Sequence, residues 1–261
     1  MRSMNIAATG MLAQQLNVEV ISNNIANLNT TGYKRQRAEF QDLLYQNLRR
    51  VGATSSDSGT IVPAGVQVGV GVKAAAVYRI NEQGNLQKTD NQLDVAIQGS
   101  GYFQVQMPDG STSYTRAGSF QLSPTGEIVT ADGLVVQPGI TLPQDTQSVT
   151  VNSSGQVVVQ IANQTQTQTV GQFELARFAN DAGLENIGDN LLKETAASGA
   201  PVTGAAGATG FGTLQQGFLE TSNVNVVSEI TDLITAQRAY EMNSKVIQTS
   251  DEMSSTLNNL R

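Results

Sequence analysis

Residues 1–28 read MRSMNIAATGMLAQQLNVEVISNNIANL, and residues 225–261 read NVVSEITDLITAQRAYEMNSKVIQTSDEMSSTLNNLR. In the first stretch Met4, Met11, Val18 and Ile25 recur at seven-residue spacing, Ala7, Ile21 and Leu28 fill the interleaved row, and Gln14 breaks the seam. That period belongs to a long amphipathic helix. It stops in the Asn27–Gly32 run, where Asn and Gly favour the left-handed conformation that ends helices. At ~1.5 Å per residue the helix is about 40 Å long. The second stretch carries a stripe through Val226, Ile230, Leu233, Tyr240, Ile247, Met253, Leu257 and Leu260. Asn225 is a good cap for it and Glu229 falls in its first turn. Gln237, Ser244 and Ser250 interrupt the stripe, which drifts as a straight helix drifts against a strict heptad. A helix packing into a larger bundle fits better than a simple dimeric zipper.

Between these ends the chain changes character. Residues 38–48 give a short helical or extended pattern, and 51–65 are small and polar, an extended arm or loop. The Val/Gly alternation from Val66 to Ile80 reads as a strand, with Gly65, Gly69 and Gly71 marking a bulge or tight backbone packing. Beyond it, segments such as GYFQVQM, SYTRAGSFQL and QVVVQIA alternate with turns at Asp109-Gly110, Pro124-Thr125-Gly126, Asp132-Gly133 and Ser154-Gly155. This spacing indicates an antiparallel β module. Residues 196–217, rich in Gly and Ala, read as an extended return connection outside the core. The expected fold class is α+β. Long N- and C-terminal helices pack as a coiled-coil-like terminal layer (1–28 with 225–261). An extended arm-and-hairpin connector covers 29–95 with 196–224, and an antiparallel β-rich middle domain covers 96–195.

Composition removes whole classes of chemistry. The 261 residues include no Cys and no His, so thiol and imidazole nucleophiles, disulfides and the commonest metal ligands are absent. Aromatics make up only 5%, and there is no Trp, which favours an extended or multi-part chain over one tight globule. A net charge of −7 argues against nucleic acid as the main partner. The charge is uneven: Lys34, Arg35 and Arg37 cluster in a basic N-terminal fifth, as a solvated patch, one paired with acids, or a phosphate site. No apolar run is long enough to span a bilayer. The first residues lack the apolar core and cleavage site of a secretory signal, so export, if it occurs, is expected without a cleaved signal peptide. Carboxylate pairs Asp90/Asp94 and Asp181/Glu185 leave glycan cleavage as a remote alternative, and an extracellular β-rich adhesin as another. Catalytic, cofactor and metal sites are expected to be none.

One string is more specific: Ser22-Asn23-Asn24-Ile25-Ala26-Asn27-Leu28-Asn29-Thr30-Thr31-Gly32-Tyr33-Lys34-Arg35-Gln36. A helix end followed by a polar turn accounts for Asn27 and Gly32 but not for the whole. The string resembles the N-terminal signature of the flagellar rod and hook axial proteins. Glu220-Thr221-Ser222-Asn223-Val224 and Gln237-Arg238-Ala239-Tyr240-Glu241 are similar to that family's C-terminal motifs. Asp94-Val95-Ala96-Ile97 with Gly99, Gly101, Tyr102 and Phe103, followed by Tyr114 to Phe120, resemble its middle motif. The likeness covers essentially the full length and is closest to members of the distal rod, with hook and proximal rod subunits as alternatives. A Trp common near the family's start is missing here, and Met4 stands nearby.

The resemblance implies a non-enzymatic subunit that stacks helically into a rigid hollow tube, transmits torque and conducts exported subunits, with terminal helices innermost. Implied neighbours are further copies, proximal rod proteins, hook protein, the P and L ring proteins, and the rod cap and type III export apparatus during assembly. The implied location is the basal body, crossing the periplasm. Subunit contacts are expected at Met4, Met11, Val18, Ile21, Ile25, Leu28, Val226, Ile230, Leu233, Tyr240, Ile247, Met253 and Leu257. The signature positions are Asn23, Asn24, Asn27, Gly32 and Lys34. Arg49, Arg50, Ile61, Val62 and Pro63 are expected to belong to a stiffening segment that packs against neighbouring copies.

Overall fold

A computed structural model describes residues 2–49, 64–162 and 166–259, which divide into two compact units. The first gathers residues 1–25, 36–78 and 225–261, and the second residues 26–35 and 79–224.

In the first unit, α1 spans Arg2–Ala26 and α2 spans Val226–Asn259. Asn225 caps α2 as its sequence position suggested: its Oδ1 accepts from the backbone N–H groups of Val227 (3.1 Å) and Ser228 (3.3 Å). Among the described residues the remainder is an arm of four strands, β1 (Gln36–Asp42), β2 (Tyr45–Arg49), β3 (Val66–Gly69) and β4 (Val72–Arg79). β1 pairs with β4, and β2 pairs antiparallel with β3 from Tyr45↔Gly69 to Arg49↔Val66. The ambiguous pattern of 38–48 therefore resolves as extended. A two-stranded ribbon has no third layer to bury its side chains, and Leu44, Tyr45, Leu48 and Val66 all stand exposed. Arg50, Ile61, Val62 and Pro63 lie outside the described residues, as does the side chain of Leu257.

The second unit is β-rich and antiparallel. β5 (Leu86–Lys88) pairs with Phe218–Glu220, and β6 (Val95–Gln98) with Thr213–Gln216. β7 (Tyr102–Gln106) and β8 (Thr112–Thr115) lie within a nine-stranded sheet. A three-stranded sheet is formed by Thr146–Val151, Gln156–Ile161 and Gln168–Gln172. Period-two alternation sorts the side chains. Val157 and Val159 are fully buried while Gln156 and Gln160 are exposed, and on β7 Phe103 enters the main core while Tyr102 enters a second cluster. Phe103, Phe120 and Phe173 meet at the centre with ring centroids 5.0–6.0 Å apart, which is how few aromatics close a core.

One expectation fails. The Gly/Ala-rich 196–217 run is no mere return connection, because it forms strands Val202–Ala205 and Thr213–Gln216 and buries Ala206 and Leu214 in the main core. Small residues there let the chain pass close to its neighbours.

The outer edge of Thr146–Val151 pairs with no further strand among the described residues. Two glutamine side chains take that place. Gln92 Oε1 accepts from Val149 N–H (3.2 Å) and Gln216 Oε1 from Val151 N–H (3.0 Å), while Gln216 Nε2 donates to the carbonyls of Val149 (2.8 Å) and Gln92 (2.7 Å).

Candidate functional site

Three charged side chains far apart in sequence meet in the second unit. The Lys34 ammonium lies 2.5 Å from Glu220 Oε1, and Arg116 Nε lies 2.6 Å from Glu220 Oε2. Glu220 is only 1% exposed. A carboxylate this deep persists because both oxygens are met by cations, and Gly84 N–H adds a third donor at 2.9 Å. The cations are satisfied in turn. Lys34 donates to Glu82 O (2.7 Å), and Arg116 to the carbonyls of Gly101 (2.5 Å), Gly99 (2.5 Å) and Ile97 (3.2 Å). Burial pushes the Glu220 carboxyl up, but Arg116 and Lys34 together outweigh it and hold the group below its usual range. Burial lowers Lys34, and the Arg116 charge adds to that against the pull of Glu220. With two cations facing one anion, the carboxylate stays ionised.

The turn leading to Lys34 needs glycine. Gly32 has φ +70°, donates its N–H to Glu220 O (2.8 Å), and sits so close to Arg116 and Ala117 that a Cβ would lie 2.9 Å from their backbone. Asn223 completes this corner by using both ends of its amide. Its Oδ1 accepts from Arg35 N–H (2.7 Å), and its Nδ2 donates to the carbonyls of Ile80 (2.9 Å) and Glu82 (3.0 Å).

The first unit has a matching device. Asn24 pairs with both backbone groups of Gln36 at 2.8 Å, as a strand would, and also donates to Glu229 Oε2 at 3.0 Å. This last bond is a close approach between α1 and α2, and two others share its register. The Ser3 and Ser250 hydroxyls are 2.8 Å apart, and a Cβ on Gly10 would lie 2.9 Å from Asn243 Nδ2. In all three pairs the two residue numbers add to the same total, so the helices run antiparallel in one register. The seam itself is small and polar. Ser3, Gly10 and Asn24 face Ser250, Asn243 and Glu229, and Ala7, Ala13, Val20, Ile21 and Ala236 are buried along it.

Of the expected contact residues, Ile21 is buried in this pair. Met4, Met11, Val18, Ile25, Leu28, Val226, Leu233 and Ile247 are half-buried. Ile230, Tyr240 and Met253 are exposed, and so are Val227, Ile234 and Met242. Arg49 is exposed on β2, and Asn23 is exposed near the end of α1. Asn27 bonds Thr30 in the turn that follows. Reading by apolar rows alone misses Glu220 and Arg116, although both stand in quoted motifs, and misses the polar seam. A seven-residue repeat of small and polar groups, from Ser3 through Gly10 and from Glu229 through Asn243 to Ser250, is the signal that points to it.

Among the described residues no group of three acidic side chains could hold a metal, and no helix is long and apolar enough to cross a membrane. An open groove of about 550 Å³ has Asp90 as its one ionisable lining residue. Asp94 is buried and bonded to Asn91 Nδ2 (2.9 Å).

Residues 4–34 match the family model described as flagella basal body rod protein. Residues 96–159 match the flagellar hook protein FlgE/F/G D1 domain, and residues 215–260 the flagellar basal body rod FlgEFG protein C-terminal region. Over all 261 residues, and the whole of the relative, the chain is 61% identical to the flagellar basal-body rod protein FlgG of Caulobacter vibrioides. The chain belongs to the FlgG family of flagellar basal-body rod proteins. FlgG of Agrobacterium fabrum is 56% identical over 255 residues, 98% of this chain and 97% of that one. Among solved structures, the hook protein FlgE2 of Helicobacter pylori matches with TM-score 0.25 and 15% identity, covering 72% of this chain and 43% of that one. Each corner of the buried triad falls in a different FlgG-family match: Lys34 in the first, Arg116 in the second and Glu220 in the third.

Proposed function

We propose that the chain is a structural, non-catalytic subunit of the distal flagellar rod. Copies associate helically into a rigid hollow shaft that transmits torque and lets exported subunits pass. The full-length likeness to FlgG proteins carries this reading. The helix pair supports it: the internal seam uses polar and small groups, which leaves the exposed apolar groups at Val227, Ile230, Ile234, Met242 and Met253 for other copies. Covering such surface contributes roughly 25 cal/mol per Å². On this reading the terminal helices form the innermost layer, the arm links neighbouring copies and the β-rich unit faces outward. The shaft crosses the periplasm inside the P and L rings between proximal rod and hook, and the subunits leave the cytoplasm through the type III apparatus beneath a rod cap. The stretch holding Arg49, Arg50, Ile61, Val62 and Pro63 stiffens the shaft by bridging adjacent copies.

Electron cryomicroscopy of basal bodies from a deletion strain tests this reading. Rods should end before the distal segment, and the gene supplied in trans should restore it. Full-length rods in the deletion strain would sink the proposal.

A further inference from the structure

Two members of the Lys34–Glu220–Arg116 cluster lie close in sequence to points where the chain passes from one unit to the other. Those crossings fall at 25/26, 35/36, 78/79 and 224/225. Lys34 immediately precedes Arg35, whose N–H is held by Asn223. Glu82 and Gly84, bonded to Lys34 and Glu220, follow the third crossing, and Glu220 and Asn223 precede the fourth. Three of the four connecting segments are thus bonded to one another inside the second unit. Their partners are a buried carboxylate and the amide of Asn223, and Arg116 ties the same carboxylate to the carbonyls that follow β6.

We infer that Glu220, with Lys34 and Arg116, is a positioning latch that holds the three connecting segments at fixed spacing, so that torque entering through the terminal helices reaches the β-rich unit without the segments shearing past one another. The consequence under torque rests on the rod reading above, whereas the latch itself is a property of the single chain. Direct ion pairs suit this task better than apolar packing, because a hydrogen bond fails over a fraction of an ångström and so tolerates little sliding. Glu220 is the hub, since both cations and Gly84 N–H converge on its two oxygens.

Hydrogen–deuterium exchange of the purified full-length chain tests the latch. In Glu220→Gln, the amides of Gly32, Arg35, Gly84 and Thr221 should exchange roughly tenfold faster through local opening, with those of β7 and Gln156–Ile161 unchanged. Unchanged exchange at the four connector amides overturns the inference, and so does an equal rise throughout the core, which would make Glu220 an ordinary fold residue. Should Glu220→Gln not fold, Lys34→Met keeps the Arg116–Glu220 pair and should loosen residues 80–85 and 218–221 alone. Failure of both variants to fold also overturns the latch. In cells, Glu220→Gln should swim at the parental speed in dilute medium and lose speed disproportionately as viscosity is raised. Parental speed at every viscosity overturns the mechanical part. Basal bodies that form complete rods without this chain count against the rod reading and leave the exchange result to decide the latch.

Discussion

Gly32 shows how one position serves two demands, a left-handed backbone and the closest approach to Arg116. Gly32→Ala should cost about 1–3 kcal/mol, read as a lower urea midpoint of the purified chain; an unchanged midpoint would mean the turn can relax away from Arg116. The triad also makes a pH prediction. Glu220 titrates below 4.5 when folded, so between that folded value and 4.5 the unfolded chain binds more protons. Stability should therefore fall as pH drops through 4.5, and Glu220→Gln should lack that component. Asp181, raised above 3.8 by burial, contributes the opposite slope, so the comparison between parent and variant is the informative one. Lys34, lowered from 10.5, adds stability only as pH rises through its folded value toward 10.5. Urea midpoints of parent and variant from pH 3 to 6 check the acid limb, and superimposable curves would remove Glu220 from the account. None of this was legible from spacing. Residues 34, 116 and 220 are brought together by the β topology, and only their presence in three separate motifs hinted at a common purpose.

At the level of elements, the two helices and the strand alternation were legible because apolar period follows directly from backbone geometry. The face that each helix turns to the other was not. Apolar rows such as Met4–Met11–Val18–Ile25 dominate the pattern, while the closest approach is made where side chains are short, at Ser3 and Gly10. Half-buried Leu233 tests the apolar rows. Leu233→Asp would place an unpaired carboxylate among packed groups at a cost of several kcal/mol. It should abolish shaft formation while leaving the circular dichroism of the β-rich unit intact, and normal motility would show that Leu233 meets no neighbour. The glutamine-covered edge offers a second test. Gln216→Ala leaves Val151 N–H and Val149 O without these partners, costing about 1–3 kcal/mol, and opens a strand edge to other chains. Size-exclusion chromatography should show concentration-dependent self-association; a strictly monomeric variant would mean the edge is guarded by something else.

On the scale of the whole molecule, the two units differ in what holds them. The β-rich unit closes its own core around Phe103, Phe120 and Phe173, whereas α2 leaves large apolar groups uncovered along its length. Helices of this kind gain most of their stability from packing. Limited proteolysis of a dilute preparation should therefore trim both ends and leave a resistant core that keeps residues 26–35 and 79–224, identified by mass spectrometry. Ends that survive would show that the terminal stripes are satisfied within one chain. The α+β class was legible in the contrast between helical ends and a β-rich middle. The contribution of Ala206 and Leu214 to the core was not, since small residues carry no period.

The hydroxyl-and-amide seam between α1 and α2 bears on how the two ends of the chain part and rejoin. Hydrogen bonds between Ser3 and Ser250, or Asn24 and Glu229, are exchanged for bonds to water when the ends part, so the bonds themselves add little to the cost of parting. A chain built this way can part its two ends and still find a single alignment when they meet again. The same bonds that hold its helices weakly allow only one way for them to close.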